Sequence, residues 1–201
     1  MELRRCAKVK KEIEYQIAFK GVYAAPTAGT AGAAGTSADG LLKIISNAVT
    51  ATKITPIATG AVTEANARES FEMVFDGVAA DFQDQPLICL ASPQLARLYK
   101  RDYRAEFGPN QDYTAMRKED QTIMIDGTNC EITPIPGMNG SQKIIITTPE
   151  NLLRVIDGTE EDSNFNLRFQ VDKRIIDVLG DFKMGWGFAI IEGLVWVNDQ
   201  A

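Results

Sequence analysis

Few residues in this chain could do chemistry, and the first observation about them is a gap, because there is no histidine anywhere in its 201 residues. Every scheme that routes a proton or a metal through imidazole is therefore excluded, including the Ser-His-Asp triad and the histidine zinc sites. Cys6, Cys89 and Cys130 are an odd and widely spaced set, without the paired spacings that a disulfide framework or a zinc site needs. Cys89 lies inside an apolar run with no cation near it in sequence, which predicts an inert core thiol and a reducing compartment.

Four further groups resemble sites only loosely. Gly29-x-x-Gly32-x-x-Gly35 suggests a phosphate cradle, but it lacks the Gly-x-Gly-x-x-Gly spacing and has no lysine before Thr36-Ser37 to reach a phosphate, so a flexible connection is favoured. Glu160, Glu161 and Asp162 have neither the alternating oxygen ligands nor the central glycine of a calcium loop, and read as a solvated acidic turn. Arg97, Lys100, Arg101 and Arg104 form a basic helix face. With Asp102 and Glu106 beside it, the face reads as solvated or as engaged with an acidic protein, not with nucleic acid. Trp186 and Trp196 with Phe182 and Phe188 could line an aromatic slot, but packed cross-strand pairs are the favoured reading. No catalytic, cofactor-binding or metal residue is assigned, and no enzyme activity or cofactor is expected.

The composition, 45% hydrophobic and 24% charged, suits a globular α and β protein, and a chain of this length can bury a full core. The formal net charge of -6 opposes general nucleic-acid binding, which needs clustered cations to displace counterions. No apolar run reaches membrane-spanning length, and Met-Glu-Leu-Arg-Arg-Cys lacks the apolar core of a signal peptide, so the chain is expected to stay where it is made.

The element that must organise the rest is Leu87 to Ala91, an apolar run without alternation and so a strand covered on both faces. Ser92-Pro93 then opens an amphipathic helix carrying Leu95, Leu98 and Tyr99 on one stripe. Before it, Glu2 to Phe19 has helical spacing ended by Gly21, and Ala24 to Gly40 is loop. Leu41, Leu42, Ile45, Ala48 and Val49 share a helix face that Ser37 or Asp39 can cap. Thr63 is the predicted cap of a helix running from Ala67 through Phe82, expected to survive Gly77.

After it, Asp126-Gly127 marks a two-residue hairpin, Met138 to Ser141 a turn and Lys143 to Thr147 a strand. Thr148-Pro149-Glu150 opens a second capped helix over Asn151 to Ile156. Beyond the acidic loop Asp157 to Asn164, alternation at Phe165, Leu167, Phe169 and Val171 predicts that the tail forms a sheet of its own, bent at glycines.

This order of features resembles the latter part of tailed-phage major capsid proteins of the Hong Kong 97 type. The matching residues are Lys20-Gly21-Val22-Tyr23 to Ser37-Ala38-Asp39-Gly40-Leu41-Leu42, Ser92-Pro93-Gln94, Ile125-Asp126-Gly127 and Ile132-Thr133-Pro134-Ile135-Pro136-Gly137-Met138. Thr148-Pro149-Glu150-Asn151-Leu152 and Gly180-Asp181-Phe182-Lys183-Met184-Gly185-Trp186-Gly187-Phe188-Ala189 complete the set.

The resemblance implies an α+β fold with a spine helix and P-domain sheet around an inserted A domain. Its expected divisions are 1–49 P-domain-like, 50–158 A-domain-like and 159–201 the closing P-domain-like sheet. It implies a capsid subunit that self-associates into capsomers enclosing DNA. Homo-oligomers, a scaffold or other phage structural proteins are the implied partners, with no specific nucleic acid and no membrane. The implied location is the virion, after the cytoplasm of a bacterial host.

The family's N-terminal arm and E loop precede the spine helix, where Met1 falls. The chain is therefore expected to remain a monomer or small capsomer-like oligomer without closing into shells. An encapsulin-like nanocompartment shell shares the same resemblance, and the genes next to it would separate the two. An α/β enzyme or ligand-binding module using Asp126 or Asp157 is the remaining alternative.

Overall fold

A computed structural model describes residues 14–30, 32–108, 123–156, 165–170, 172, 175–180 and 184–200. Within them the fold is mixed α and β around a five-stranded mixed sheet. The strands are β1 (Leu87–Ala91), β2 (Ile123–Met124), β3 (Cys130–Pro134), β4 (Ile145–Thr147), β5 (Leu152–Ile156), β6 (Phe165–Gln170), β7 (Ile175–Gly180), β8 (Met184–Phe188) and β9 (Val195–Val197). The helices are α1 (residues 14–20), α2 (Leu41–Thr50), α3 (Ala67–Asp76), α4 (Ala80–Gln83) and α5 (Pro93–Phe107).

The central sheet has the order β2-β3-β1-β4-β9, so β1 occupies its middle, parallel to β3 and antiparallel to β4. Both faces are covered. Cys89, Ala91, Ile132 and Ile146 point into a core closed by Phe71 and Val74 of α3 and by Leu95 and Tyr99 of α5. Leu90, Ile145, Val195 and Val197 point the other way, against Ala18 and Phe19 of α1 and Leu41, Ile45 and Ala48 of α2. Because successive strand residues face opposite sides, a strand between two helical layers must be apolar throughout, which is why β1 shows no alternation. Each fully buried Leu, Ile or Phe contributes about 1.5–3 kcal/mol by leaving water.

The Ser92-Pro93 junction behaves as its residues dictate. The Ser92 hydroxyl accepts from the Leu95 amide at 3.3 Å, and Pro93 occupies the first helical turn of α5. The similar opening at Thr148-Pro149 ends differently. Pro149–Asn151 makes one 3₁₀ turn with no side-chain cap, and Leu152–Ile156 continues as a strand paired with β8, not as the expected helix.

Two caps also differ from expectation. Gly40, not Ser37 or Asp39, precedes α2, while Asp39 Oδ1 accepts from the Tyr23 amide at 2.8 Å and holds the glycine-rich loop instead. Thr63 does not cap α3, since its amide and hydroxyl both donate to Asn66 Oδ1. The α3 amide of Arg68 is met by Asp102 Oδ2 of α5 at 2.7 Å.

The helix expected through Phe82 stops at Gly77. A Cβ on that residue would lie 2.4 Å from Ile57 Cδ1, so any side chain there would have to push the end of Ile57 aside. The chain then turns, and α4 presents Phe82 to Trp196 with ring centroids 5.8 Å apart.

The hairpin at Asp126-Gly127 forms with Gly127 at φ +67, but it is wider than two residues. The Ile125 amide donates to the Cys130 carbonyl at 3.0 Å, leaving 126–129 as the loop. The tail is not a sheet of its own: β9 pairs with β4 and so belongs to the sheet of β1, β8 pairs with β5 in a two-stranded sheet, and β6 and β7 pair with each other in another. Gly185 and Gly187 sit in unbroken register and make no bulge. Val195 and Val197 are drawn into the central sheet because the second core needs apolar side chains beside Ile145.

Two buried asparagines join these parts. Asn198 accepts from the Ile144 amide and donates to the Gln142 carbonyl, both at 2.9 Å. Asn151 donates to the Ile190 carbonyl and accepts from its amide, each at 2.8 Å, and so pins the chain leading into β9. Buried amides of this kind stabilise mainly by leaving no backbone group unpaired.

Candidate functional site

The glycine-rich loop spends its amides on itself. The Val22 amide donates to the Gly35 carbonyl at 3.2 Å, that of Ala24 to Thr36 at 3.0 Å, and that of Thr36 to Ala33 at 3.3 Å. An anion cradle needs such groups directed at a ligand from a helix N-terminus. Here α2 begins only at Leu41, after the loop has returned to α1.

Cys89 and Cys130 are buried on neighbouring strands of the first core. Burial pushes the Cys89 thiol well above its ordinary range, with Cys130 adding to the rise. Burial, then Glu131, pushes Cys130 up to about 12. Neither is a thiolate at neutral pH, so neither is a nucleophile. Cys6, Asp157, Glu160, Glu161, Asp162 and Phe182 lie outside the described residues. Asp126 is exposed in its turn, where its amide donates to the Tyr99 hydroxyl at 3.0 Å.

The cations of α5 are not balanced by the acids beside them in sequence. Asp102 is buried against α3, and Glu106 pairs with Arg68 at 3.0 Å, whereas Arg101 faces Glu64 at 3.6 Å. Trp186 and Trp196 lie in different sheets, each packed against a core, so they line no common slot.

Two polar clusters were not visible in the sequence. Arg68 bonds Glu72 and Glu106 at 3.0 Å each and lies 5.6 Å from the centroid of the Phe107 ring. Burial alone would lower its pKa, but Glu72 and Glu106 outweigh burial and raise it, so the guanidinium is a fixed charge that ties α3 to α5. Near the end of the described chain, Lys143 donates to the Gln200 carbonyl beside Asp199, in an open cleft that also admits Lys20 and Lys43. Burial lowers the Lys143 pKa and Asp199 partly opposes this. Among the described residues no three Cys, Asp or Glu side chains are grouped as a metal site, and no helix is long and apolar enough to cross a membrane.

Leu153, Val155 and Ile156 of β5 are exposed, as are Tyr15, Val22 and Tyr23 around the end of α1. Exposed apolar groups clustered on one element, on a protein with filled cores, mark interaction surfaces. No protein-family model, curated protein or solved structure matches this chain.

Proposed function

We propose that this chain is a structural subunit of a phage or prophage capsid, which self-associates into capsomers that enclose DNA within the virion. The observation that carries the reading is the placement of its side chains by type. The buried polar groups Asp102, Asn151 and Asn198 are bonded to backbone, while apolar side chains of β5 stand in solvent. Such a distribution supports a building block better than a catalyst. The order of α1, the glycine-rich loop, the capped α5 and the Asp126-Gly127 hairpin is compatible with the resembled capsid family. The net charge of -6 suits a container that should not adhere to its contents.

Sedimentation velocity and native mass spectrometry over a concentration series, with electron microscopy of the same samples, test the proposal. Reversible, capsomer-like oligomers are expected. Of the monomer or small oligomer expected for this chain, the proposal requires the oligomer, so a chain that stays monomeric at every concentration would overturn it.

A further inference from the structure

The β5–β8 ribbon has two unlike faces. Leu152, Arg154 and Ile156 lie opposite Phe188, Trp186 and Met184, and this face rests on the second core through Leu152, Trp186 and Phe188. The other face carries Leu153 opposite Gly187 and Val155 opposite Gly185. Leu153 is 45% and Val155 62% exposed, and a Cβ built on either glycine would meet nothing within 4 Å.

The outward face is therefore an apolar ridge on one strand beside a bare trough on the next, roughly 4.8 Å away, the spacing of paired strands. No polar side chain interrupts these four positions. A ridge beside a trough is complementary to itself under one operation, a two-fold rotation about an axis that runs along the strands between two facing ribbons. That rotation sets the ridge strand of each copy over the trough strand of the other, which is the isologous pattern of a closed dimer contact.

We propose that two copies of this chain stack their β5–β8 ribbons face to face about such an axis, Val155 of each seated over Gly185 of the other and Leu153 over Gly187. The proposal rests on the self-association reading above and names one of its contacts. Two side chains and two stretches of glycine backbone per copy make a small patch, well under the roughly 1,200 Å² of a standard stable interface. The contact is accordingly weak and reversible by itself, and gains effect where other contacts hold the same subunits together.

Sedimentation velocity on the unaltered chain, Val155→Asp and Gly185→Val separates this arrangement from general stickiness. Val155→Asp should weaken association by at least about tenfold. Gly185→Val adds apolar surface, so a merely sticky face would bind more tightly, whereas a filled trough should weaken association by a similar factor. Circular dichroism of each variant checks that it is folded.

A second measurement uses Cys6→Ser proteins bearing either Val155→Cys or Gly185→Cys, mixed in equal amounts under mild oxidation. A disulfide joining position 155 of one copy to position 185 of the other should exceed the 155–155 product. Tighter association of Gly185→Val, or predominance of the 155–155 product, overturns the ridge-in-trough contact. Oligomers unchanged by both substitutions overturn this contact and leave the self-association reading standing. An unaltered chain that never associates overturns both.

Discussion

β4 and β5 are separated by one short turn and are similarly rich in branched apolar residues, yet they end in opposite environments. Ile145 and Ile146 of β4 are fully buried, whereas Leu153 and Val155 of β5 keep about half of their surface in water. The difference lies in what arrives to cover them. β4 is flanked by β1 and β9 and lies between two helical layers, while β5 has β8 on one side and a helical layer behind only one face. Apolar content states that a strand can be buried. The number of covering layers determines whether it is.

The largest expected effect breaks the sheet side of this comparison. Phe71→Ala should cost about 3–5 kcal/mol, because Phe71 is fully buried and its ring meets Tyr99 edge-on at 5.3 Å. Urea unfolding measures the loss, and a loss under 1 kcal/mol, as a rough threshold for a surface site, would mean that α3 is not part of the core.

Alkaline pH should act next, and on the same side. The folded protein holds the Cys130 thiol up to about 12 from 9.0, and burial pushes the Tyr99 hydroxyl up to about 12 from 10.0. The unfolded chain releases these protons first, so the stability they supply is whole below pH 9 and is lost as pH rises toward 12. At about 1.4 kcal/mol per pKa unit the loss is on the order of 2–4 kcal/mol for each group. Urea midpoints at pH 8, 10 and 11.5 check the slope, and Tyr99→Phe should flatten its upper part. β5 and β8 contain neither thiol nor phenol, so they add nothing to that slope.

Asn198→Ala should cost about 1–3 kcal/mol, since it leaves the Ile144 amide and the Gln142 carbonyl without their partner. Thermal unfolding reads it, and amide exchange at Ile144 should accelerate. The smallest effect belongs to the ribbon: Val155→Ser should alter the stability of the monomer by no more than about 0.5 kcal/mol, as expected of a surface position. A loss comparable with that of Phe71→Ala would erase the distinction between covered sheet and open ribbon.

How far such positions can be read from residues alone is clearest where one motif occurs twice. Ser92-Pro93 is followed by Gln-Leu-Ala-Arg-Leu, good helix formers, and the local signal and the fold agree. Thr148-Pro149-Glu150-Asn151 is followed by Leu-Leu-Arg-Val-Ile, where local preference is weaker and pairing with β8, some thirty residues later, decides the outcome. The central position of β1 was legible because a strand between two layers must be apolar throughout. The membership of β9 was not, because Val-Trp-Val reads as a strand in any sheet. The ridge and trough were hidden for a related reason: Gly185 and Gly187 have meaning only beside Val155 and Leu153, and that register is set by tertiary pairing. Asp102 looked like a counter-charge for its own helix and instead bonds the first turn of another.

One feature of the sheet bears on how the protein is made. The Ile57 amide donates to Val197 and its carbonyl accepts from Asp199, so a segment made early is completed only by one made late. At the usual 5–20 residues per second of synthesis, Ile57 waits on the order of ten seconds on the ribosome for these partners. Once β4 has been made, and until β9 follows it, the side of β4 away from β1 is an open edge beside Ile145 and Ile146, the kind of edge on which neighbouring nascent chains pair wrongly. Its safe passage depends on how soon Val195–Val197 emerges, which ties the yield of native protein to the pace of translation over the preceding β5–β8 segment.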